Sequence, residues 1–164
     1  MELVSQVNYL PKNGCMINVP ITTTDALKTR ESEPVATPVD AHLLVGEVDW
    51  LRSNCLTFEQ SHFEVFVAGS GHIPNILLEI GRLRELTFRS VGEGTGRCRD
   101  IDEFDTYYRQ LIIWDKTEQR IVGGYRLGCG DEIFAQYGVK GFYISSLFHI
   151  REGFFPILSQ ALEL

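Results

Sequence analysis

Arg126 sits inside Arg120-Ile-Val-Gly-Gly-Tyr-Arg-Leu127, a segment whose apolar and β-branched content reads as a strand. A guanidinium at a sheet position between Tyr125 and Leu127 is costly to take out of water unless a carboxylate meets it. The nearest carboxylates are in Asp100-Ile-Asp102-Glu103-Phe104-Asp105, and before them Arg84-Glu-Leu-Thr-Phe88-Arg89 ends an expected helix with arginines. A fold that satisfies all three stretches must bring helix end, acidic turn and sheet around one charged pocket.

The neighbouring segments supply that sheet. Arg109-Gln-Leu-Ile-Ile-Trp-Asp115 reads as an antiparallel partner of residues 120–127, joined by the polar turn Lys116–Gln119. In His62-Phe-Glu-Val-Phe-Val-Ala68 the residues Phe63, Val65 and Val67 alternate as in a strand, which Gly69-Ser-Gly71 ends. Pro74 suits the first turn of a helix, and Ile76, Ile80 and Leu83 recur at helical spacing toward Phe88. Gly92, Gly94 and Gly96 make the next segment mobile or tightly folded. They precede no βα unit, so they form no phosphate cradle. Asp102 to Tyr107 fits a short helical turn and Asp131–Phe134 a short helix. Phe142–Phe148 has strand-like apolar content, and Phe155–Leu164 is helical apart from Pro156.

Residues 1–61 read as an N-terminal extension to a body spanning 62–164. Asn13-Gly14 marks a turn, and Pro34, Thr37 and Pro38 punctuate a polar linker. Asp40 then caps a docking helix running to about Asn54, with Leu43, Leu44, Val48 and Leu51 as its apolar stripe.

Composition excludes several functions. A net charge of −7 argues against nonspecific nucleic-acid binding and gives no broad attraction to anionic lipid. No window is apolar enough to span a membrane, and Met1-Glu-Leu-Val-Ser-Gln lacks the features of a signal peptide. The expected location is the cytoplasm, with the inner membrane surface as the alternative. Cys15, Cys55, Cys98 and Cys129 form no CxxC and read as free thiols, and His42, His62, His72 and His149 suggest no ligand set, so no metal site is expected. Between Glu79 and Arg99, arginines 82, 84, 89, 97 and 99 outnumber glutamates 79, 85 and 93. That stretch reads either as internally paired surface or as a face for an acidic partner.

Together, Leu83-Arg-Glu-Leu-Thr-Phe88, Asp102-Glu-Phe-Asp105 and Gly124-Tyr-Arg-Leu127 make the chain from about His62 to Leu164 resemble the first half of a GNAT-superfamily acyltransferase domain. The branch it looks most similar to depends on acyl carrier protein. It includes acyl-homoserine-lactone synthases, N-acyl amino acid synthases and the hemolysin-like ornithine-lipid acyltransferases. The resemblance implies an α/β, GNAT-like fold: a mixed, largely antiparallel sheet with flanking helices, here cut short at its C-terminus. It places Arg84 and Phe88 in a segment that closes over substrates, and Asp102, Asp105 and Arg126 in a cluster lining the amine site. Glu163 matches the start of a further motif whose arginine would follow Leu164.

What the resemblance implies chemically is direct acyl transfer from a thioester to the primary amine of an amino acid or amino lipid precursor. Asp102, Asp105 and Glu163 are the expected catalytic carboxylates, attracting the ammonium and passing on its proton. Arg84, Phe88 and Arg126 are the expected substrate-binding residues. Arg126 either keeps the carboxylates ionised or grips the carboxylate of the acceptor. No resident cofactor is implied; the thioester, on acyl carrier protein or coenzyme A, is a donor substrate. Acyl carrier protein is the expected partner, and a homodimer, a fused acyltransferase domain or peripheral membrane association are compatible with the family. With its donor-binding elements expected past Leu164, the chain by itself is expected to be inactive.

Other readings use the same residues. Asp102 and Asp105 suit a helix N-cap and a first-turn partner of the helix dipole, and Arg126 suits a structural buried pair. A signal synthase of the homoserine-lactone type and a non-catalytic interaction module on the same half-domain are the alternative functions.

Overall fold

The computed structural model describes residues 32–164; the expected turn at Asn13-Gly14, and Cys15, lie outside the described residues. Asp40 caps α1 (Ala41–Asn54), its side chain accepting from the His42 N–H at 2.8 Å. Leu44, Val48 and Leu51 recur three and four residues apart and are buried along one stripe of that helix. β1 (Leu56–Gln60) and β2 (Phe63–Gly69) follow as a hairpin. α2 (Pro74–Ser90) begins on the proline, whose missing N–H costs nothing in a first turn. A 3₁₀ turn, Glu103–Thr106, then leads into β3 (Arg109–Asp115) and β4 (Arg120–Cys129). α3 (Gly130–Tyr137), α4 (Ile144–Leu147), α5 (Phe155–Leu158) and the two-residue β5 (Leu162–Glu163) complete the order.

The five strands lie in the order β1-β2-β3-β4-β5, and every neighbouring pair is antiparallel. The expected α/β class, an antiparallel sheet with flanking helices, is what the chain forms. Leu44, Val48 and Leu51 of α1 and Ile76 and Ile80 of α2 pack with Phe66, Ile112, Trp114 and Ile121 of the sheet in one buried cluster. Each fully buried side chain of that kind contributes about 1.5–3 kcal/mol, so this cluster is the main source of stability. A smaller cluster of Phe104, Tyr108, Ile133 and Phe142 fastens the 3₁₀ turn to α3 and to the segment after it.

Four expectations need correction. The boundary placed between residues 61 and 62 does not divide the core, because α1 shares the main cluster and β1 is hydrogen-bonded to β2. Within β2, the buried face is Glu64, Phe66 and Ala68, not the apolar alternation of Phe63, Val65 and Val67. Glu64 is tolerated there because Arg52 of α1 meets it with two hydrogen bonds, 2.8 and 2.9 Å. Phe142–Phe148 is no strand; it turns into α4, and its apolar content serves the smaller cluster through Phe142 and Ile144. Phe155–Leu164 is helical only to Leu158 and then pairs with β4 through Glu163 and Leu162.

The polar stretch around Pro34 and Pro38 is likewise tied down. The Glu33 and Ala36 N–H groups donate to the carbonyls of Gly96 and Cys98 at 2.8 and 3.0 Å, and the Val39 N–H donates to Glu79 at 3.0 Å. The loop beneath it is tightly folded. Gly92 and Gly96 take φ of 80° and 77°, values that glycine adopts without steric cost. Glu85, fully buried on α2, accepts from the Thr95 N–H (3.0 Å), the Thr95 hydroxyl (2.6 Å), the Gly96 N–H (2.9 Å) and Arg89 Nε (2.6 Å).

Candidate functional site

The charged site begins with a glycine. A Cβ at Gly81 would stand 2.4 Å from Ile101 Cγ1, so the missing side chain lets the loop before the 3₁₀ turn lie directly on α2. The Asp100 N–H donates to the Gly81 carbonyl at 2.9 Å. That close approach puts two carboxylates within reach of Arg84: Nε to Asp100 at 3.2 Å and Nη1 to Asp105 at 2.8 Å.

Asp102 is the N-cap of the 3₁₀ turn. Its Oδ1 accepts from the Phe104 and Asp105 N–H groups at 2.9 and 3.3 Å, while Asp105 Oδ2 accepts from the Asp102 N–H at 3.0 Å. This is a reciprocal capping box. The capping role of these aspartates coexists with ion pairing. Arg126 Nη1 lies 2.6 Å from Asp102 Oδ1 and 3.5 Å from Asp105 Oδ2. Helix end, acidic turn and sheet arginine thus converge on one site.

Asp105 is wholly buried and bonded on both oxygens, the last contact being Gln110 Nε2 at 3.1 Å. Gln110 lies opposite Arg126 in the β3–β4 register, so the two side chains share a sheet face. Asp102 is different: its three contacts all fall on Oδ1, and its side chain is 30% exposed, which leaves Oδ2 toward solvent. Burial raises the proton affinity of Asp102, but the Arg126 hydrogen bond and charge outweigh it and hold its pKa below the usual 3.8. Burial opposes the charge on Arg126 as well; Asp102 and Asp105 reverse that and push its pKa up. The same guanidinium lies 5.5, 5.4 and 5.3 Å from the ring centroids of Phe104, Tyr108 and Tyr143, an aromatic cage that sequence reasoning missed.

Glu163 reaches this neighbourhood from β5. The Tyr108 hydroxyl donates to its Oε2, which also accepts from the Tyr143 N–H at 3.0 Å; the Ile144 N–H donates to Oε1 at 2.6 Å. Burial raises the Tyr108 pKa far above the usual phenol value, and the Glu163 carboxylate adds to the effect. Tyr108 therefore links Glu163, at its hydroxyl, to Arg126, at its ring face. Of the expected residues only Phe88 stands apart: it lies one turn beyond Arg84, is 39% exposed, and makes none of these contacts.

The arginine-rich stretch is mostly occupied internally. Arg82 pairs with Glu79 at 2.5 Å and Arg89 with Glu85, while Arg97 donates to the Ile101 carbonyl at 3.2 Å. Among the described residues no His, Cys, Asp and Glu group is arranged to hold a metal ion, and no helix is long and apolar enough to cross a membrane.

Two clefts meet at Lys140. One, about 260 Å³, is lined by Glu103, Tyr107, Tyr137, Lys140 and Gly141. The other, about 620 Å³, runs along Val139–Lys140, Ser145–Glu152 and Phe155.

The family model described as the acetyltransferase (GNAT) domain matches residues 83–164, which include every charged residue of the site. The glycine N(alpha)-acyltransferase of Bacteroides thetaiotaomicron is 37% identical over 137 residues, 80% of this chain and 40% of that protein. The protein of the same name from Phocaeicola vulgatus is 36% identical over 126 residues, 74% of this chain and 38% of its own length. The chain thus spans about two fifths of the curated relatives it matches. No solved structure matches it.

Proposed function

The chain belongs to the GNAT acetyltransferase domain family, and on that premise we propose that it carries the acceptor side of an N-acyltransferase. The reaction moves an acyl group from a thioester to the primary amine of a small amino acid, and the names of both relatives favour glycine. The donor is an acyl thioester on acyl carrier protein or coenzyme A. The supporting observation is the outward Oδ2 of Asp102, an ionised carboxylate oxygen with no protein partner among the described residues.

At pH 7 nearly all of a free amino acid's α-amino group is ammonium and cannot attack a carbonyl. A fixed carboxylate draws that ammonium in and takes up or relays its proton. The free nitrogen then attacks the thioester carbon, the C–S bond breaks, and the thiol leaves with a proton. Asp102, held below its ordinary pKa, stays charged throughout the neutral range and suits an electrostatic clamp that relays the proton to water. Asp105 and Glu163, bonded on both oxygens, suit holding roles: Asp105 fixes the acidic turn, and Glu163 fixes Tyr108 and the start of α4.

Asp102→Asn isolates the charge, since Asn caps a turn about as well as Asp. In the full product of the gene that encodes this chain, thiol release from acyl carrier protein or coenzyme A thioesters is followed with glycine as acceptor. The variant is expected to lose roughly 10²-fold or more in kcat/KM, the usual scale for a group that handles a proton. Undiminished transfer would remove Asp102 from the reaction.

A further inference from the structure

Resting on that reading, we infer that the 260 Å³ cleft between the 3₁₀ turn and α3 seats the acceptor as a zwitterion, with Lys140 on its carboxylate and Glu103 on its ammonium. Both charged side chains are exposed, and neither forms an ion pair among the described residues. The charged site beside them differs: Arg84, Asp100, Asp102, Asp105 and Arg126 are paired with one another. Two opposite charges kept apart across one small cleft match the charge pattern of an α-amino acid.

The walls fit the same ligand. Tyr107 and Tyr137 lie with ring centroids 4.4 Å apart, and the Tyr107 hydroxyl is pinned to the Gly141 carbonyl at 2.8 Å. These rings line a space that holds roughly nine waters at about 30 Å³ each. A small amino acid enters it with room for its water.

The cleft also adjoins the proposed chemistry. Glu103 follows Asp102 directly in the turn, and Tyr107 packs on Phe104, one of the rings that cage Arg126. The charges of both Glu103 and Asp102 act on Tyr107 in the cleft wall, so an ammonium held by Glu103 is within the field of Asp102. The assignment also separates two roles for Arg126: it holds the acidic turn, and Lys140 grips the substrate carboxylate.

The test compares glycine with glycinamide, which keeps the amine and lacks the carboxylate, in the full gene product and its Lys140→Met variant. The ratio of kcat/KM for glycine over glycinamide is expected to fall at least tenfold in the variant, mostly through KM for glycine. An equal effect on both amines, or none, overturns the assignment while leaving N-acyl transfer standing. Should the protein transfer to no amine at all, the acyltransferase reading fails, and the cleft is judged by binding alone. Glycine titrated into ¹⁵N-labelled protein is expected to shift the Lys140 and Gly141 amides saturably, and Lys140→Met to abolish the shift. No saturable shift at millimolar glycine overturns the site.

Discussion

Arg126→Ala is expected to cost about 3 kcal/mol of stability and at least a hundredfold in kcat/KM for the amine, a loss on the scale of Asp102→Asn. The guanidinium is 17% exposed, caged by three aromatic rings and hydrogen-bonded to Asp102. Its removal leaves Asp102 and Asp105 facing each other beside an apolar cavity. Asp105 keeps Arg84 and Gln110, which limits the damage to its own position. Asp102 keeps only backbone donors, so the turn that carries the proposed clamp loosens. Lysine is expected to restore little. An ammonium lacks the flat face that packs against Phe104, Tyr108 and Tyr143. Urea denaturation and thiol-release kinetics on the Ala and Lys variants measure both effects; a Lys variant with full activity and stability contradicts the caging argument.

Glu85→Ala carries the largest expected stability loss, about 3–5 kcal/mol, the scale for breaking a buried charged network by removing one member. For a protein of ordinary stability that is about a fifth or more of the total. Truncation strands the Thr95 and Gly96 N–H groups and the Thr95 hydroxyl, and leaves Arg89 without its carboxylate. The same network predicts a pH dependence. Burial raises the proton affinity of Glu85, but Thr95, Arg89 and the backbone donors outweigh it and bring its pKa from 4.5 to about 2. A carboxylate depressed in this way contributes its full stabilisation above pH 4.5 and loses it as pH falls toward 2. Thermal melts of the wild type and of Glu85→Gln should therefore converge between those values. A gap that persists at pH 2 contradicts the assignment.

The meeting of Arg126 with Asp102 and Asp105 was legible in the sequence because desolvation leaves a sheet arginine few options, and the acidic run was the near one. Glu163 was legible only as a motif position. Its partners Tyr108, Tyr143 and Ile144 come from just before β3 and from the start of α4, and nothing in local spacing announces a contact across that distance. The aromatic cage was hidden for the same reason. Phe142–Phe148 misled because a short apolar run does not separate strand from buried turn. β1 escaped notice because all five of its residues are exposed, so no buried alternation marks it. Glu64 and Glu85 read as surface charge in a one-dimensional pattern. Only the approach of Arg52 and of the Thr95 loop makes their burial tolerable.

The segment from Glu33 to Val39 matters for anyone trimming this chain. The natural place to cut is Asp40, where the first helix starts, yet a shortened form beginning there discards three backbone donors that steady the Gly96–Cys98 loop and Glu79. That loop sits over Glu85, so the loss should surface as faster amide exchange at Thr95 and Gly96, well away from the new terminus. Keeping residues from Glu33 onward avoids it.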